Sequence, residues 1–303
     1  MIRSKKKPPR WRREQKARLQ KDKRAKLVLG VMFLGLIMML VVISWLWQRA
    51  EESVWDGKSS LGIVYQVDDR ISLVTIMPEY SREVEFIIPS NTMAKVRFGF
   101  GEYQLKNVYQ LGKLEGQGGK VLSRTVQELM GIGIKGWKVG KETNLSWWDR
   151  ARLWWYSQLV VKKRKSWDLG QDQVFKPERL ADGVEVFRVS QIVLDELVNQ
   201  QVFEERLVKE GLSLAVLNAT GVEGVAKDVT RLIANLGGEV RLVGNLDKQM
   251  KSEILLGEKD LRESYTVEQL ARLLEIEEIK VGEVGEYRSE VVVVVGQDYT
   301  NLK

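Results

Sequence analysis

The 303-residue chain contains no cysteine and no histidine. Without cysteine there is no disulfide, no thiolate nucleophile and no Cys-based zinc site. Without histidine the commonest general base and the commonest transition-metal ligand are missing, and a Ser-His-Asp triad is excluded. Any catalysis would have to rest on carboxylates, Lys, Arg, Tyr or a carboxylate-held Mg²⁺. What remains is apolar enough, at 44% hydrophobic residues, to build a core in a chain long enough for about two domains.

The net charge of +7 is unevenly spread. Residues 1–26 hold 13 Lys/Arg against Glu14 and Asp22, so the remainder holds 35 Lys/Arg against 39 Asp/Glu. The basic character therefore belongs to one tail, and the rest is mildly acidic. Directly after the tail, Leu27 to Trp47 forms an uncharged run of 21 residues. At about 1.5 Å per residue it matches the roughly 30 Å hydrocarbon layer. A cleaved signal peptide would have a shorter apolar run and a small-residue cleavage site, whereas this run leads into Gln48-Arg49-Ala50-Glu51-Glu52. The reading is a retained single-pass anchor. Basic flanks stay on the inner side, so the expected location is the plasma membrane, with the N-terminus cytoplasmic and residues from about 50 onward outside. Trp45, Trp47 and Trp55 are expected at the outer interface, where aromatic rings favour the headgroup level. The tail sets this topology and is also able to bind anionic lipid or nucleic acid. Against nucleic acid, it has only Trp11 as an aromatic and shows no recognition helix.

Beyond a polar linker over 48–60, three β-branched runs predict strands at Leu61–Val67, Ile71–Met77 and Val84–Ile88. The first two read as a hairpin, and the third adds to their sheet. Glycines at 99, 101, 112, 116, 118 and 119 predict an irregular stretch, followed by a helix from Lys120 to Met130 that Gly131 stops. In it Val121, Leu122, Val126, Leu129 and Met130 share one stripe. Ser146 and Asp149 form a capping-box pattern, so a helix should start there. Four Trp follow within nine residues, at 147, 148, 154 and 155, and four basic residues at 162–165. Three roles stay open for these rings: core or interdomain packing, contact with the membrane surface with the basic residues at the headgroups, or a stacking platform for sugars. Residues 166–210 read as a connector with one helix over about 190–209.

From 211 onward the pattern is regular. Strands are expected at Leu212–Leu217, Glu239–Val243, Glu253–Gly257 and Val291–Val295, and helices at Val222–Leu236 and Tyr265–Leu274. This order predicts a small α/β domain with a mixed sheet. Asn218, Thr220, Gly221 and Gly224, between its first strand and helix, are an anion-site candidate, because free N–H groups point outward at a helix N-terminus. The Walker lysine and the three-glycine dinucleotide pattern are both absent. The plainer reading is a tight turn in which Gly224 permits close packing.

The motifs "LAVLNATGVEGVA", "LGGEV" and "VVVVVGQDY", in this order, resemble the LytR C-terminal domain over residues 211–299. Residues 61–139, with "LGIVYQVDDRISLVTI", "FIIPSNT" and "VQELMGIGI", resemble the beginning of the LytR-CpsA-Psr catalytic domain. That resemblance implies a membrane-anchored envelope protein that transfers glycopolymers from a polyprenyl-pyrophosphate carrier to peptidoglycan, usually with Mg²⁺. It also implies an Ile-Pro-Arg-Asp-Thr segment, where this chain has Ile88-Pro89-Ser90-Asn91-Thr92. The arginine expected to hold the pyrophosphate is Ser90, and the acid beside it is Asn91. The family's metal-binding Asp corresponds to Ser59 or Ser60. Lys95, Arg97 and Lys106 are the nearest possible substitutes for the lost cations. A pyrophosphate in a low-dielectric cleft needs such counter-charges.

The resulting organisation is a basic tail (1–26), a transmembrane helix (27–47), a degenerate LytR-CpsA-Psr-like α/β domain (48–143), a Trp-rich helix and connector (144–210) and a LytR C-terminal-like domain (211–303). The expected function is a non-catalytic envelope protein that needs no cofactor and contacts membrane lipid and a cell-wall glycopolymer or an envelope protein. Two alternatives are a divergent transferase, which would need Mg²⁺, and a membrane-tethered regulator with a nucleic-acid-binding tail.

Overall fold

The computed structural model describes residues 32–41, 44, 53–96, 99–171 and 174–300. They belong to two compact units, Met1–Ser53 and Val54–Lys303. In the first unit residues 32–41 are helical, with exposed apolar side chains. The basic tail, Trp45, Trp47 and much of the expected span from Leu27 to Trp47 lie outside the described residues. No helix among the described residues is long and apolar enough to cross a membrane.

The second unit opens with a six-stranded sheet. Its strands are β1 (Leu61–Val67), β2 (Arg70–Met77), β3 (Arg82–Ile88), β6 (Gly136–Val139), β7 (Glu142–Thr143) and β8 (Lys163–Asp168), in the order β7-β6-β1-β2-β3-β8. β1 and β2 pair antiparallel around Asp68-Asp69, and β3 pairs antiparallel with β2, as the alternation in these runs implies. That alternation gives the sheet two buried faces. Ile71, Leu73 and Met77 of β2 join Val84, Phe86 and Ile88 of β3 in the larger core. It is closed by helices α1 (Leu105–Lys113), α2 (Gly118–Met130) and α4 (Gln191–Val202). Leu61, Ile63 and Ile76 face the other side, against Trp55, Leu145 and Tyr156, the last on helix α3 (Trp147–Leu159). All five residues of the predicted stripe in α2 are buried.

Two stretches differ from expectation. The glycine-rich region holds β4 (Met93–Val96), β5 (Gly101–Gln104) and α1, whose Leu105, Val108 and Tyr109 stripe is short enough to be masked by flanking glycines. Residues 166–210 are not a connector with one helix. β8 adds to the sheet parallel to β3, β9 (Phe175–Arg179) and β10 (Glu185–Val189) form a hairpin, and α4 is followed by a separate α5 (Glu205–Glu210). The apolar pattern runs on to Phe203, but that residue takes up extended backbone. That break sends the Glu204 side chain into the junction with the following domain.

The C-terminal domain has the expected mixed sheet, ordered β12-β11-β15-β13-β14 from β11 (Ser213–Asn218), β12 (Glu239–Asn245), β13 (Glu253–Leu256), β14 (Glu278–Val281) and β15 (Val291–Val295). β15 runs parallel to β11 and antiparallel to β13. It is central and covered on both sides, which accounts for its unbroken valines. Helices α6 (Val225–Asn235) and α7 (Tyr265–Leu274) cover one face. The short strand β14 was not anticipated.

This domain is fixed to the first by buried polar contacts. Arg231 of α6 forks onto Asp195 of α4, with Nε–Oδ distances of 2.7 and 2.9 Å, and donates to the carbonyls of Glu128 and Leu129. Asn235 donates to the Gly131 carbonyl at 2.9 Å. Gly131 ends α2 with φ +63°, and a Cβ there would lie 2.3 Å from the Asn235 amide nitrogen, so glycine is required on both counts. Glu204 is 1% exposed and accepts from the Ser60 hydroxyl at 2.7 Å and the Tyr265 hydroxyl at 2.9 Å. Burial pushes its carboxyl above the usual range, although both hydrogen bonds oppose that shift.

Candidate functional site

The Ile88–Thr92 segment leaves the end of β3 as a tight turn. The Thr92 amide donates to the Pro89 carbonyl, and the amides of Leu105 and Lys106 donate to the carbonyls of Thr92 and Ser90. The start of α1 is thus clamped to the turn. The hairpin β9–β10 closes it from the other side. Asn91 Nδ2 donates to the Glu185 carbonyl at 2.9 Å, and the Phe187 amide donates to the Asn91 carbonyl. Thr92 is fully buried, and its hydroxyl has no partner among the described residues.

Ser90 borders an open depression of about 450 Å³. Its charged lining among the described residues is Asp69, Arg70 and Asp168. Arg70 is paired with Glu85 at 3.2 Å, so the field there favours a cation over an anion. Directly beneath, Ile71, Phe86, Ile88, Leu105 and Val108 are at most 1% exposed. The sheet-to-helix space beside Ser90 is therefore filled with side chains.

The proposed substitute cations do not gather at this depression. Lys95 is exposed on β4 and lines a second, larger cleft of about 750 Å³. Lys106 is half-buried, and its backbone is tied to Ser90 and, through its carbonyl, to Gln66. Arg97 lies outside the described residues. The positions of the family's metal ligand are also committed: Ser59 donates its hydroxyl to Asp56 at 2.9 Å, and Ser60 donates to Glu204. Burial raises the Asp56 carboxyl, but amide bonds from Ser59 and Lys58 outweigh it and hold the group low. Among the described residues no cluster of three or more acids could hold a metal ion.

The second cleft brings together two features that the sequence leaves apart. Lys95 from the β4–β5 hairpin and Gly224 at the start of α6 line the same space. Four cations, Lys95, Arg188, Lys227 and Arg231, face four acids, Glu102, Glu128, Glu223 and Asp228. Arg188 is bridged to Glu102 and Glu178, and Arg231 to Asp195. The balance does not suit a compact polyanion; it suits a polar chain of low net charge.

At the mouth of this cleft the Asn218–Gly224 turn is self-contained. Asn218 Oδ1 accepts from the Thr220 amide and hydroxyl, at 3.1 and 2.6 Å, and Asn218 Nδ2 donates to the Val222 carbonyl. The Thr220 hydroxyl in turn accepts from the Val222 amide at 2.9 Å. These side chains build the turn rather than a ligand shell. Gly221 and Gly224 have φ of +75° and +89°. Nothing lies within 4 Å of a Cβ built on Gly224, so it serves backbone conformation and not the close packing expected of it.

Helix α3 begins with the predicted capping box: Ser146 accepts from the Asp149 amide, and Asp149 accepts from the Ser146 amide. Asp149 is fully buried and has a further role that the sequence pattern did not show. It also accepts from the Val54 and Trp55 amides, at 3.2 Å each. Trp55 itself is 2% exposed, stacks edge-on against Tyr156 and donates its ring N–H to the Ser59 carbonyl. Its ring belongs to the core and does not face outward, as an interfacial ring would. The Trp residues of α3 do the opposite. Trp148 is half-buried, but Trp147, Trp154 and Trp155 are 36%, 67% and 55% exposed, so they are not core packing.

Residues 211–299 match the family model described as LytR cell envelope-related transcriptional attenuator. No curated protein matches the chain. Among solved structures the chain is similar to TagT of Bacillus subtilis, at 14% identity and a TM-score of 0.39 over 47% of this chain and 89% of that one. The putative transcriptional regulator ywtF from Bacillus subtilis gives 14% identity and a TM-score of 0.40 over 61% and 93%. A transcriptional regulator from Enterococcus faecalis gives 11% identity and a TM-score of 0.38 over 60% and 89%. The C-terminal domain, residues 211–299, is thus a LytR C-terminal domain of the cell-envelope-related family.

Proposed function

We propose that this chain is a single-pass envelope protein whose extracytoplasmic unit binds a cell-wall polymer and does not transfer one. The observation that carries this reading is the chemistry around Ser90. A carrier pyrophosphate requires cations in a sheltered site. Here the described lining holds Asp69 and Asp168 with a single arginine already paired to Glu85, the Asn91 amide is bound to the Glu185 carbonyl, and the space beneath is packed. The charge-balanced cleft between Lys95 and Gly224 is the better binding surface for a sugar–peptide polymer of low net charge.

The test uses the full chain in detergent or proteoliposomes. Supplied with Mg²⁺, a polyprenyl-pyrophosphate-linked polymer and isolated peptidoglycan, it should give no transfer yet sediment with the peptidoglycan. Lys95→Glu with Lys227→Glu should weaken that sedimentation while leaving the fold intact by circular dichroism. Mg²⁺-dependent transfer would overturn the reading in favour of the divergent transferase.

A further inference from the structure

Helix α3 has two faces of different character. Leu153 and Tyr156 pack on the sheet with Trp55, and Asp149 is buried beside them. At i, i+4, i+7, i+8 and i+12 from Trp147, the opposite face presents Trp147, Ala151, Trp154, Trp155 and Leu159, with Leu159 67% exposed. Large apolar side chains aligned in this way on an exposed helix are unusual for a surface that meets only water. Exposed cations rim the stripe, which also holds the exposed Gln158: Arg150 flanks it, and Lys162 and Lys163 follow the C-terminus of the helix.

The position of α3 in the chain indicates what meets this face. The second unit starts at Val54, and its first two amides are bound to Asp149 near the start of α3, while Arg152 of the same helix donates to the Trp55 carbonyl at 2.7 Å. Val54 lies only seven positions beyond Trp47, the end of the apolar run, with six residues between them. Fully extended, seven residues reach at most about 25 Å. The element to which the tether is tied is therefore the one that exposes tryptophan beside lysine and arginine, the pairing that suits the headgroup level of an anionic bilayer.

We propose that the Trp147–Leu159 face of α3 is a lipid-docking surface that lays the extracytoplasmic unit on the outer leaflet. The inference rests on the membrane-anchored reading given above. Lipid then meets the unit at this face as well as through the tether.

The absence of cysteine makes the test direct. Full-length Ala151→Cys is spin-labelled, and its exposure to oxygen and to a water-soluble nickel chelate is compared in phosphatidylglycerol–phosphatidylcholine proteoliposomes and in detergent-free nanodiscs of phosphatidylcholine alone. A Lys259→Cys label on the exposed surface of the C-terminal domain is the control. The expected result is a several-fold loss of nickel access at 151 relative to 259, deepest with the anionic lipid and reversed by Trp154→Ser with Trp155→Ser. Equal nickel access at both positions in a chain that floats with the lipid overturns the docking face and leaves the anchor standing. Failure of the chain to float overturns both. Dilution-sensitive spin–spin broadening at 151, or protection by peptidoglycan and not by lipid, assigns the face to a second copy or to a sugar polymer and overturns the proposal.

Discussion

The turns that follow β3 and β11 both place an asparagine and a threonine at the end of a strand; the first leads into β4 and has the start of α1 clamped to it, and the second leads into α6. After β11, Asn218 and Thr220 bond each other and the backbone of Val222, all within four residues, and Asn218 Nδ2 also reaches Asn245 Oδ1 at 3.5 Å. After β3, Asn91 is held by Glu185 from a hairpin 94 residues away, and the buried Thr92 hydroxyl has no partner among the described residues. A turn whose polar groups satisfy one another is complete as structure. The turn after β3 depends instead on a remote closure, the hairpin β9–β10, and keeps a buried hydroxyl unmatched among the described residues.

Substitutions at the two turns should separate these cases. Thr220→Val should cost the most, about 2 kcal/mol, because it leaves the Asn218 oxygen and the Val222 amide without their shared partner in a buried turn. Urea denaturation of the full chain in detergent measures it. Gly224→Ala should cost about 1 kcal/mol, the penalty of left-handed backbone alone, because no neighbour obstructs the added carbon. A larger loss would mean that the loop contacts something unseen. Asn91→Asp restores the family's acid but turns a donor into a charge facing the Glu185 carbonyl. That contact raises the new carboxyl's pKa in the folded state, so stability should be lost as pH rises through its titration, by about 1 kcal/mol at neutral pH. A melting temperature that falls between pH 4 and 7 in this variant, but not in the parent, checks the sign. Thr92→Val should change stability least and in the opposite direction, with a gain of about 0.5–1 kcal/mol, because it removes an unmatched hydroxyl at nearly constant shape.

The C-terminal domain was legible because each element is local in pattern: β15 reads as a buried strand from its five valines, and α7 begins and ends at the predicted residues. The sheet of the first domain was legible as far as β3 for the same reason. Beyond it, β8 reads as a basic run, since Lys163, Arg164 and Lys165 are exposed at the sheet edge and only the pairing with Arg82 to Ile87 makes them a strand. Helix α1 was hidden among glycines. The break at Phe203 was hidden because the contacts that Glu204 makes just beyond it, with Ser60 and Tyr265, span both domains. At the candidate site, the absence of charge at Ser90 and Asn91 could be read directly. Their consequence could not, because whether Lys95 or Lys106 substitutes depends on which cleft each faces. Likewise the tryptophans of α3 are plain in the sequence, but which of them face outward depends on the core that Leu153 and Tyr156 enter.

The account stands or falls on whether the Ser90 depression accepts a carrier headgroup. The direct measurement is equilibrium binding of octaprenyl pyrophosphate to the full chain with and without Mg²⁺. Octaprenyl monophosphate and the Ser90→Ala variant serve as references. The expected result is weak binding that Mg²⁺ does not strengthen and Ser90→Ala does not change, as for any lipid meeting the membrane-facing surfaces. Saturable, Mg²⁺-dependent preference for the pyrophosphate that Ser90→Ala abolishes would contradict it.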